Sequence, residues 1–394
     1  MIIRSDPVNA FLDYGDAEVA SAASGPLHGL TFAVKDIFDV AGYPTGDGNP
    51  IRRAESPVHK TNAPIVQKML DAGARFIGKT QTDEMTFSMN GQNRHFPEPI
   101  NVRAPGRITG GSSSGSVAAV AAKLCDFAIG SDTGGSVRAP GSYCGLWGIR
   151  PTHGRVDNSR ALPLARSFDT AGYFTDDAEM FARIAPVFLG DDPRPFRLTR
   201  LLRADDAFAK LLSEREAAAL KPAVAKVEAR LGSAASVTVA PEGLEPWYWT
   251  FRHLQAVEAW AAHGEWIASR NPSMTSGVRE RFEYGRTVTP DVRREAEEKR
   301  KGQRARVEAL VGDDGVLMLP TVPAIAPKRD LAGDALQAYR ERALSILSIS
   351  GLSGLPQVTM PLASLDGSPL GLSLIGPRGA DRALIDLAVS IAKS

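Results

Sequence analysis

The pattern of apolar and polar positions predicts alternating strands and helices near the N-terminus. Residues 28–41 form an apolar, β-rich run, residues 62–72 carry apolar side chains at helical spacing, and residues 74–80 form a second short apolar run. The helix is expected to begin at Asn62 as its N-cap and to stop at Gly73. This strand–helix–strand order is typical of a parallel or mixed sheet flanked by helices.

The same pattern continues along the chain, with a helical region between two strand-rich ends. Further helices are predicted over 117–124, 203–232, 244–270, 290–311 and 380–393, and further strands at 126–131, 316–320 and in a hairpin over 356–378. We expect an α/β fold with a mixed central β-sheet covered by α-helices on both sides. A single domain over residues 1–394 would comprise a catalytic core at 28–175, a helical middle at 195–311 and a sheet-completing segment at 316–394.

Composition narrows the classes of protein that this chain can represent. The 394 residues include 46 basic and 45 acidic side chains, a balance that argues against a general nucleic-acid binder. The longest apolar run, 116–130, contains two charged residues, so no membrane span is expected. Two cysteines and six scattered histidines show no metal-ligand spacing, and we expect neither a metal nor a cofactor. The predicted compartment is the cytoplasm.

Two short motif matches suggest chemistry that their surroundings do not favour. Residues 73–80 (GARFIGKT) fit the phosphate-loop pattern, but a helix precedes them and the apolar residues between the glycines resemble a strand. GSSSG at 111–115 fits the G-x-S-x-G pattern around Ser113, yet Pro105–Gly106 stands where that motif needs a central strand. Nucleotide binding and a Ser-His-Asp triad are therefore kept only as alternatives.

A third constellation is more informative. It combines Lys35 inside an apolar strand, the Gly/Ser-rich loop 110–115, and the segment SDTGGSVR at 131–138. Ser136 follows two glycines, where successive backbone N–H groups can form a nest for the oxyanion of an acyl-transfer reaction. A serine nucleophile needs a base, and no histidine lies in these segments. Lys35 can serve as the base if burial keeps it neutral.

These segments resemble the amidase signature family of serine hydrolases. The residues that carry the resemblance are LTFAVKDIFDVAGYPTGDGNP (30–50), GGSSSGSVAAVAA (110–122), IGSDTGGSVRAPGSYCGLWGIRPTHG (129–154), SFDTAG (167–172), GLPQVTMPL (354–362) and GLSLIGPRGAD (371–381). The resemblance is strong over about 28–175 and weak over 195–310. Within the family, the chain is most similar to the indole-3-acetamide hydrolase and malonamidase-like branch. The resemblance implies the amidase-signature fold.

The resemblance also implies roles for individual residues. It places a Ser-cisSer-Lys triad on Lys35, Ser112 and Ser136, with Ser136 as the nucleophile. The peptide bond before Ser112 would be cis, and Ser113 would be a supporting hydrogen-bond partner. Arg138 is expected to be structural, because the arginine that binds a substrate carboxylate in a malonamidase-type relative lies one position further along, where this chain has alanine.

Two further groups of residues follow from the same resemblance. The oxyanion donors would be the backbone N–H groups of Thr133, Gly134, Gly135 and Ser136. The substrate pocket would be formed by the segment 84–95, by residues around Tyr143–Trp147 and by the helical middle, with Met85, Met89, Tyr143, Trp147 and Trp247 as the candidates. These apolar side chains would suit an aromatic or alkyl acyl group.

The predicted function is hydrolysis of a carboxamide to an acid plus ammonia or an amine, through an acyl-enzyme. Small aryl or alkyl primary amides such as indole-3-acetamide are the expected substrates, and a homodimer is left open. One alternative is the glutaminase-type component of a tRNA-dependent amidotransferase. Others, from a different class, are a non-catalytic family member and a nucleotide-binding protein.

Overall fold

A mixed sheet runs through the computed structural model, which describes residues 5–393. Its strand order is β2-β1-β3-β5-β4-β9-β10-β8-β6-β7. The strands are β1 (Thr31–Lys35), β2 (Arg75–Thr80), β3 (Phe127–Asp132), β4 (Trp147–Arg150), β5 (Thr170–Thr175), β6 (Arg200–Ala204), β7 (Ala235–Val237), β8 (Gly315–Pro320), β9 (Gln357–Leu365) and β10 (Ser368–Ile375). The pairs around β1 and around β6 are parallel, and the pairs between them are antiparallel.

Helices connect these strands. They are α1 (Pro50–Glu55), α2 (Pro64–Asp71), α3 (Ser114–Ala121), α4 (Arg138–Tyr143), α5 (Ala178–Leu189), α6 (Asp205–Phe208), α7 (Glu214–Leu231), α8 (Leu244–Arg270), α9 (Val278–Thr287), α10 (Pro290–Val311), α11 (Gly333–Ser353) and α12 (Asp381–Lys393). Within residues 5–393, no helix is long and apolar enough to cross a membrane.

Both faces of the sheet are buried. Because side chains alternate between the two faces along each strand, neighbouring residues of one strand join different hydrophobic clusters. In β1, Phe32 and Val34 join the hydrophobic cluster that also contains residues of α2, α5 and α12, whereas Ala33 joins the cluster of α3. In β8, Met318 joins the first cluster, and Leu319 joins the cluster that contains residues of α8 and α10. The predicted mixed sheet with helices on both sides is therefore confirmed.

Two details of the predicted elements are wrong. Segment 203–232 is not one helix: β6 ends at Ala204, α6 is a single short turn, and α7 begins only after Ser213. The Ser213 hydroxyl accepts from Arg215 N and donates to Glu216 Oε2 at 2.6 Å, so this serine caps a new helix. In addition, Asn62 does not cap α2, since its Oδ1 accepts from Ala41 N at 2.8 Å and Ala63 holds the cap position.

Four helices were not predicted from the sequence, namely α1, α5, α9 and α11. Helix α11 is the most consequential, because it packs against α8 and α10 beside the site described below. Its second half is buried on all sides, so it lacks the amphipathic stripe by which a surface helix is recognised. Its serines bond back to the helix, as when Ser348 Oγ donates to the Ser345 carbonyl at 2.9 Å.

Candidate active site

Lys35 stands at the carboxyl end of β1, where the loops that follow the parallel strands β1, β2 and β3 meet. Its side chain is fully buried. The Nζ atom lies 2.7 Å from Ser112 Oγ and 2.8 Å from Ser131 Oγ, both hydrogen-bond distances. Ser131 lies near the end of β3 and was not predicted from the sequence, because only the pairing of β1 with β3 brings it beside Lys35.

The environment of Lys35 favours its neutral form. Burial lowers the pKa of Lys35 to about 8, although the charges of Asp83 and Asp47 oppose the shift. The adjacent carboxylate, Asp36, is not a partner of Lys35: it forms a fully buried ion pair with Lys79 at 2.7 Å. The hydrogen-bond partners of Lys35 Nζ are therefore two hydroxyl groups and not a carboxylate. Neutral partners do not stabilise the protonated form as a carboxylate would, which suits a base that must lose its proton near neutral pH.

The Gly/Ser-rich loop brings Ser112 to Lys35 immediately before α3. The Gly111–Ser112 peptide bond is cis. The Ser112 carbonyl accepts from Asp83 N at 3.1 Å, which ties the loop to the segment after β2. Ser113 Oγ donates to the Ser131 carbonyl at 3.2 Å, so this side chain links the loop to β3. Ser112 thus faces the lysine, while Ser113 fastens the loop behind it.

The glycine loop after β3 is organised around the buried carboxylate of Asp132. Its Oδ1 accepts from Gly135 N at 2.9 Å, and its Oδ2 accepts from Val137 N at 3.1 Å. The expected use of Gly135 as an oxyanion donor is corrected here, because its N–H is already satisfied. Among residues 5–393, no hydrogen bond from the backbone N–H of Thr133, Gly134 or Ser136 is found, so these three remain candidates.

Arg138 is held inside the protein by the same carboxylate. Its Nε and Nη2 donate to the two oxygens of Asp132 at 2.9 and 2.8 Å, and Arg150 Nη1 approaches Oδ1 at 2.9 Å. Burial favours the neutral acid, but the two arginines outweigh it and hold the pKa of Asp132 well below its usual range. Arg138 is fully buried and also donates to the Leu347 carbonyl at 2.7 Å, so it anchors the loop.

Ser136 faces a cavity of about 460 Å³, and its residue surface is 6% exposed. Two apolar side chains, those of Phe251 and Leu347, pack directly against the two glycines. A Cβ on Gly134 would lie 2.9 Å from Phe251 of α8, and one on Gly135 would lie 2.5 Å from Leu347 of α11. The backbone also has φ +127° at Gly135. Only glycine therefore lets the loop approach α8 and α11 so closely.

The cavity walls differ from the predicted pocket. Met89 lines the cavity together with Ser136, as expected. Met85 instead lies in an apolar cluster with Phe282, and Trp147 packs against Phe181 at 5.7 Å between ring centroids. The hydroxyl of Tyr143 is bonded to Tyr339, away from this cavity.

Helices α8, α9 and α11 supply most of the cavity wall; the first two lie in the helical middle, where pocket residues were expected, whereas α11 was not predicted. The lining side chains that were not singled out from the sequence are Thr86, Phe87, Ser88, Leu164, Tyr248, Trp249, Phe251, Arg252, Gln255, Ala256, Glu280, Arg281, Tyr284, Gln337, Arg340, Glu341 and Leu344. Trp247 is not among them, because its ring is buried and its Nε1 donates to Glu242 at 2.6 Å. Trp249, two residues further along, lines the cavity instead. The prediction therefore chose a helix that lines the cavity but the wrong face of that helix.

The two alternative motifs lack the geometry that their chemistry needs. In the GARFIGKT segment, Arg75–Thr80 is strand β2, and Lys79 is buried against Asp36, Thr45 and a carbonyl. No glycine loop there opens a helix toward a phosphate. Ser113 is fully buried, unlike the exposed serine of a nucleophile elbow. Across the described residues, no group of three metal-ligating side chains is found.

Comparisons with known proteins agree with this architecture. The Amidase family pattern matches residues 10–229, more than half of the chain. The chain is similar to Amidase 1 of Arabidopsis thaliana, with 38% identity over 97% of both chains. It is also similar to the A subunit of the glutamyl-tRNA(Gln) amidotransferase of Methanospirillum hungatei, with 30% identity over 97% of this chain and 96% of that one.

A solved structure described as an amidase superposes with a TM-score of 0.83 and 28% identity, covering 94% of this chain and 85% of that chain. The fold and the relatives together define the class of protein. The chain belongs to the amidase family, and it is an amidase enzyme.

Proposed function

We propose that this amidase hydrolyses small carboxamides through a Ser-cisSer-Lys relay in which Ser136 is the nucleophile. The observation that carries the proposal is the 2.7 Å contact between the buried Lys35 Nζ and Ser112 Oγ, beside a cavity that Ser136 lines. A lysine whose pKa is lowered toward neutrality can accept a proton, which an ordinary lysine at pH 7 rarely can.

The reaction divides into two steps. Neutral Lys35 accepts the proton of the Ser112 hydroxyl, Ser112 accepts the proton of Ser136, and Ser136 Oγ attacks the amide carbonyl carbon. The N–H groups of Thr133, Gly134 and Ser136 would stabilise the oxyanion. Ser112 then returns a proton to the nitrogen, the C–N bond breaks, and ammonia or an amine leaves. Water attacks the acyl-enzyme ester by the same relay and releases the acid.

The relay requires Ser112 Oγ to come within hydrogen-bond reach of Ser136 Oγ. Among the described residues, no hydrogen bond joins these two side chains, whereas the Lys35–Ser112 contact is already formed. Catalytic hydrogen bonds commonly tighten only when substrate binds. The proposal therefore assigns that contact to the substrate complex.

The acyl group is proposed to be small and partly aromatic. Phe87, Tyr248, Trp249 and Tyr284 line the cavity, and its volume of about 460 Å³ is that of an ordinary small-molecule site. Aromatic walls favour aryl or alkyl acyl groups over peptides. A cytoplasmic location and a single domain remain predictions from the sequence, and a homodimer stays open.

A second candidate is the glutaminase-type component of a tRNA-dependent amidotransferase. The observation that favours it is the similarity, along nearly the whole chain, to the glutamyl-tRNA(Gln) amidotransferase protein of Methanospirillum hungatei. A protein of that type works in an assembly, so it should co-purify with partner proteins. If the chain purifies without partner proteins and still hydrolyses free amides, and adding cell extract does not raise its rate, this candidate is contradicted.

Ammonia release from a panel of amides tests the proposed activity. We expect turnover of small primary amides such as phenylacetamide and indole-3-acetamide at rates at least about 10⁴-fold above those of the Ser136→Ala variant. Glutamine and allophanate complete the panel. Release that is equal in the wild type and in Ser136→Ala for every amide would contradict the proposal.

A further inference from the structure

A second, smaller cavity lies beside the candidate catalytic residues. Its volume is about 70 Å³, and Ser131 and Thr133 line it, whereas Ser136 lines the cavity of about 460 Å³ described above. We call these spaces the small cavity and the large cavity. Thr86 and Leu164 line both of them, so the two cavities meet at these side chains.

The junction between the two cavities depends on an unusual backbone conformation. Met85 and Thr86 both have positive φ angles, +48° and +57°, which a β-branched residue such as threonine rarely adopts. Thr86 N donates to the Asp83 carbonyl at 2.9 Å, which helps to hold this bend. Such conformations persist where the surrounding structure imposes them, often at functional sites. Here the bend places Thr86 between the two cavities.

The small cavity lies on the lysine side of the glycine loop that follows β3. Ser131 lines this cavity, and its Oγ is 2.8 Å from Lys35 Nζ. The same Nζ contacts Ser112 Oγ at 2.7 Å. In the proposed reaction, Ser112 returns a proton to the amide nitrogen. The nitrogen must therefore face the pair of Lys35 and Ser112 when the C–N bond breaks.

The tetrahedral intermediate needs two separate spaces for its two organic substituents. Its central carbon carries Ser136 Oγ, the oxyanion, the acyl group and the amide nitrogen. The large cavity, which Ser136 lines, has the volume and the aromatic walls for the acyl group. The nitrogen and any group attached to it then point toward the small cavity, on the side of the proton donor.

One wall of the small cavity has the polarity that an amine requires. Asp169 lines this cavity, and its carboxylate Oδ1 accepts from Thr133 Oγ1 at 2.6 Å. An amine donates hydrogen bonds and becomes a cation when it takes up a proton, so a nearby carboxylate favours it. Arg166 also lines the cavity, but this residue is exposed to solvent.

The size of the small cavity limits the amine that it can hold. A water molecule needs about 10–15 Å³ of such a cavity, so a volume of about 70 Å³ has room for roughly five groups of that size. The side chains of Phe38, Leu162 and Leu164 line it, and Phe38 belongs to the buried core. Ammonia and methylamine fit this space, whereas benzylamine is too large.

We propose that the small cavity is the leaving-group subsite and that it restricts the enzyme to amides of ammonia and of small amines. This inference rests on the proposed amide hydrolysis and deepens it, because it defines the substrate class on the nitrogen side. When the C–N bond breaks, the amine carries the proton from Ser112 into the small cavity. The water that attacks the acyl-enzyme then takes the place of the amine. Anilides and N-benzyl amides are excluded as substrates, whatever their acyl group.

Two amides that differ only in the leaving group test this subsite. N-Methylphenylacetamide and N-benzylphenylacetamide share the phenylacetyl group, which occupies the large cavity. We expect kcat/KM, measured by amine release, to be at least about 100-fold higher for the N-methyl amide, since even one methylene changes discrimination by about 10- to 200-fold. N-Benzylacetamide, an isomer of the N-methyl amide, should also be a poor substrate. Faster turnover of N-benzylacetamide than of that isomer would place the acyl group in the small cavity and overturn the assignment.

Substitutions in the wall of the small cavity should change this preference in both directions. Leu162 and Ala161 are half-buried and line the small cavity but not the large one. Leu162→Ala should raise kcat/KM for the N-benzyl amide about tenfold relative to the N-methyl amide. Ala161→Leu should lower turnover of the N-methyl amide more than that of phenylacetamide. Leu212→Ala is the matched control, because Leu212 is 47% exposed and lines neither cavity. It should leave all these ratios unchanged.

Binding to the Ser136→Ala variant separates failure of the subsite from failure of the proposed function. Calorimetric titration should show the N-methyl amide bound at least about tenfold more tightly than the N-benzyl amide, and adding Leu162→Ala should reduce the difference. That result, without Ser136-dependent hydrolysis of any amide, would uphold the subsite and overturn the proposed hydrolysis. Equal kcat/KM for the two amides in the wild type would overturn the subsite and leave the proposed hydrolysis standing.

Discussion

Replacing Ser136 by alanine is expected to lower kcat/KM by at least about 10⁴-fold on the best amide substrate, because removal of a serine nucleophile leaves only binding and oxyanion stabilisation. The substitution removes one hydroxyl from a residue that is only 6% exposed, and the glycine loop after β3 is held by Asp132 rather than by that hydroxyl. The fold should therefore persist. Ammonia release measures the effect, and thermal unfolding checks that stability is unchanged.

Ser159→Ala provides the matched control for the loss of a serine hydroxyl, since Ser159 is exposed and lies outside the cavity. It should retain full activity. If Ser136→Ala kept activity within about tenfold of the wild type, the nucleophile would have to be another group. Ser113, the serine of the G-x-S-x-G match, would then be the next residue to replace.

Replacing Lys35 by methionine is expected to lower kcat/KM by about 10³-fold or more, because general-base catalysis contributes about that much. Methionine keeps an unbranched apolar stem in a fully buried site but cannot accept a proton. Lys35→Arg is the sharper variant: it keeps a positive charge and hydrogen-bond donors, yet an arginine does not deprotonate in this range. Both variants should be inactive if the lysine is the base.

If Lys35 is the base, its pKa sets the pH dependence of the wild type. Burial lowers the pKa of Lys35 to about 8, so the reactive neutral form increases as pH rises through that value. We expect kcat/KM to rise about tenfold per pH unit below pH 7 and to level off above pH 8 to 9. At pH 7 about one-tenth of the lysine would be neutral, some 300-fold more than for an ordinary lysine. A flat profile, or an active Lys35→Arg enzyme, would contradict the relay.

The candidate catalytic residues were named from the sequence through its resemblance to the amidase signature family, because the three segments that carry them are distinctive. Lys35 ends a strand, Ser112 follows two glycines, and Ser136 follows two more. Glycine permits backbone conformations that other residues rarely adopt, such as the φ of +127° at Gly135, so these loops are distinctive in the sequence. Two hydrogen bonds were missed, one between Lys35 and Ser131 and one from Gly135 N to the Asp132 carboxylate. Both depend on tertiary contacts that the order of residues does not specify.

The substrate cavity could not be derived in the same way. Its walls come from α8, α9 and α11, where the resemblance to known sequences is weak or the helix was not recognised. On α8 the choice between Trp247 and Trp249 depends on the rotation of the helix against its neighbours, which composition does not specify. Arg281 and Arg340 are distant in sequence and meet only through the packing of α9 and α11 around one cavity.

The most direct test of the relay is the site of covalent labelling by a fluorophosphonate, which reacts with an activated serine and loses fluoride. Trypsin separates the candidates, because Ser112 and Ser113 lie in the peptide 108–123, and Ser136 lies in the peptide 124–138. The relay predicts one adduct per chain, on Ser136, formed as activity is lost and absent from Lys35→Met. A stoichiometric adduct on Ser112 or Ser113, or full labelling without Lys35, would contradict it.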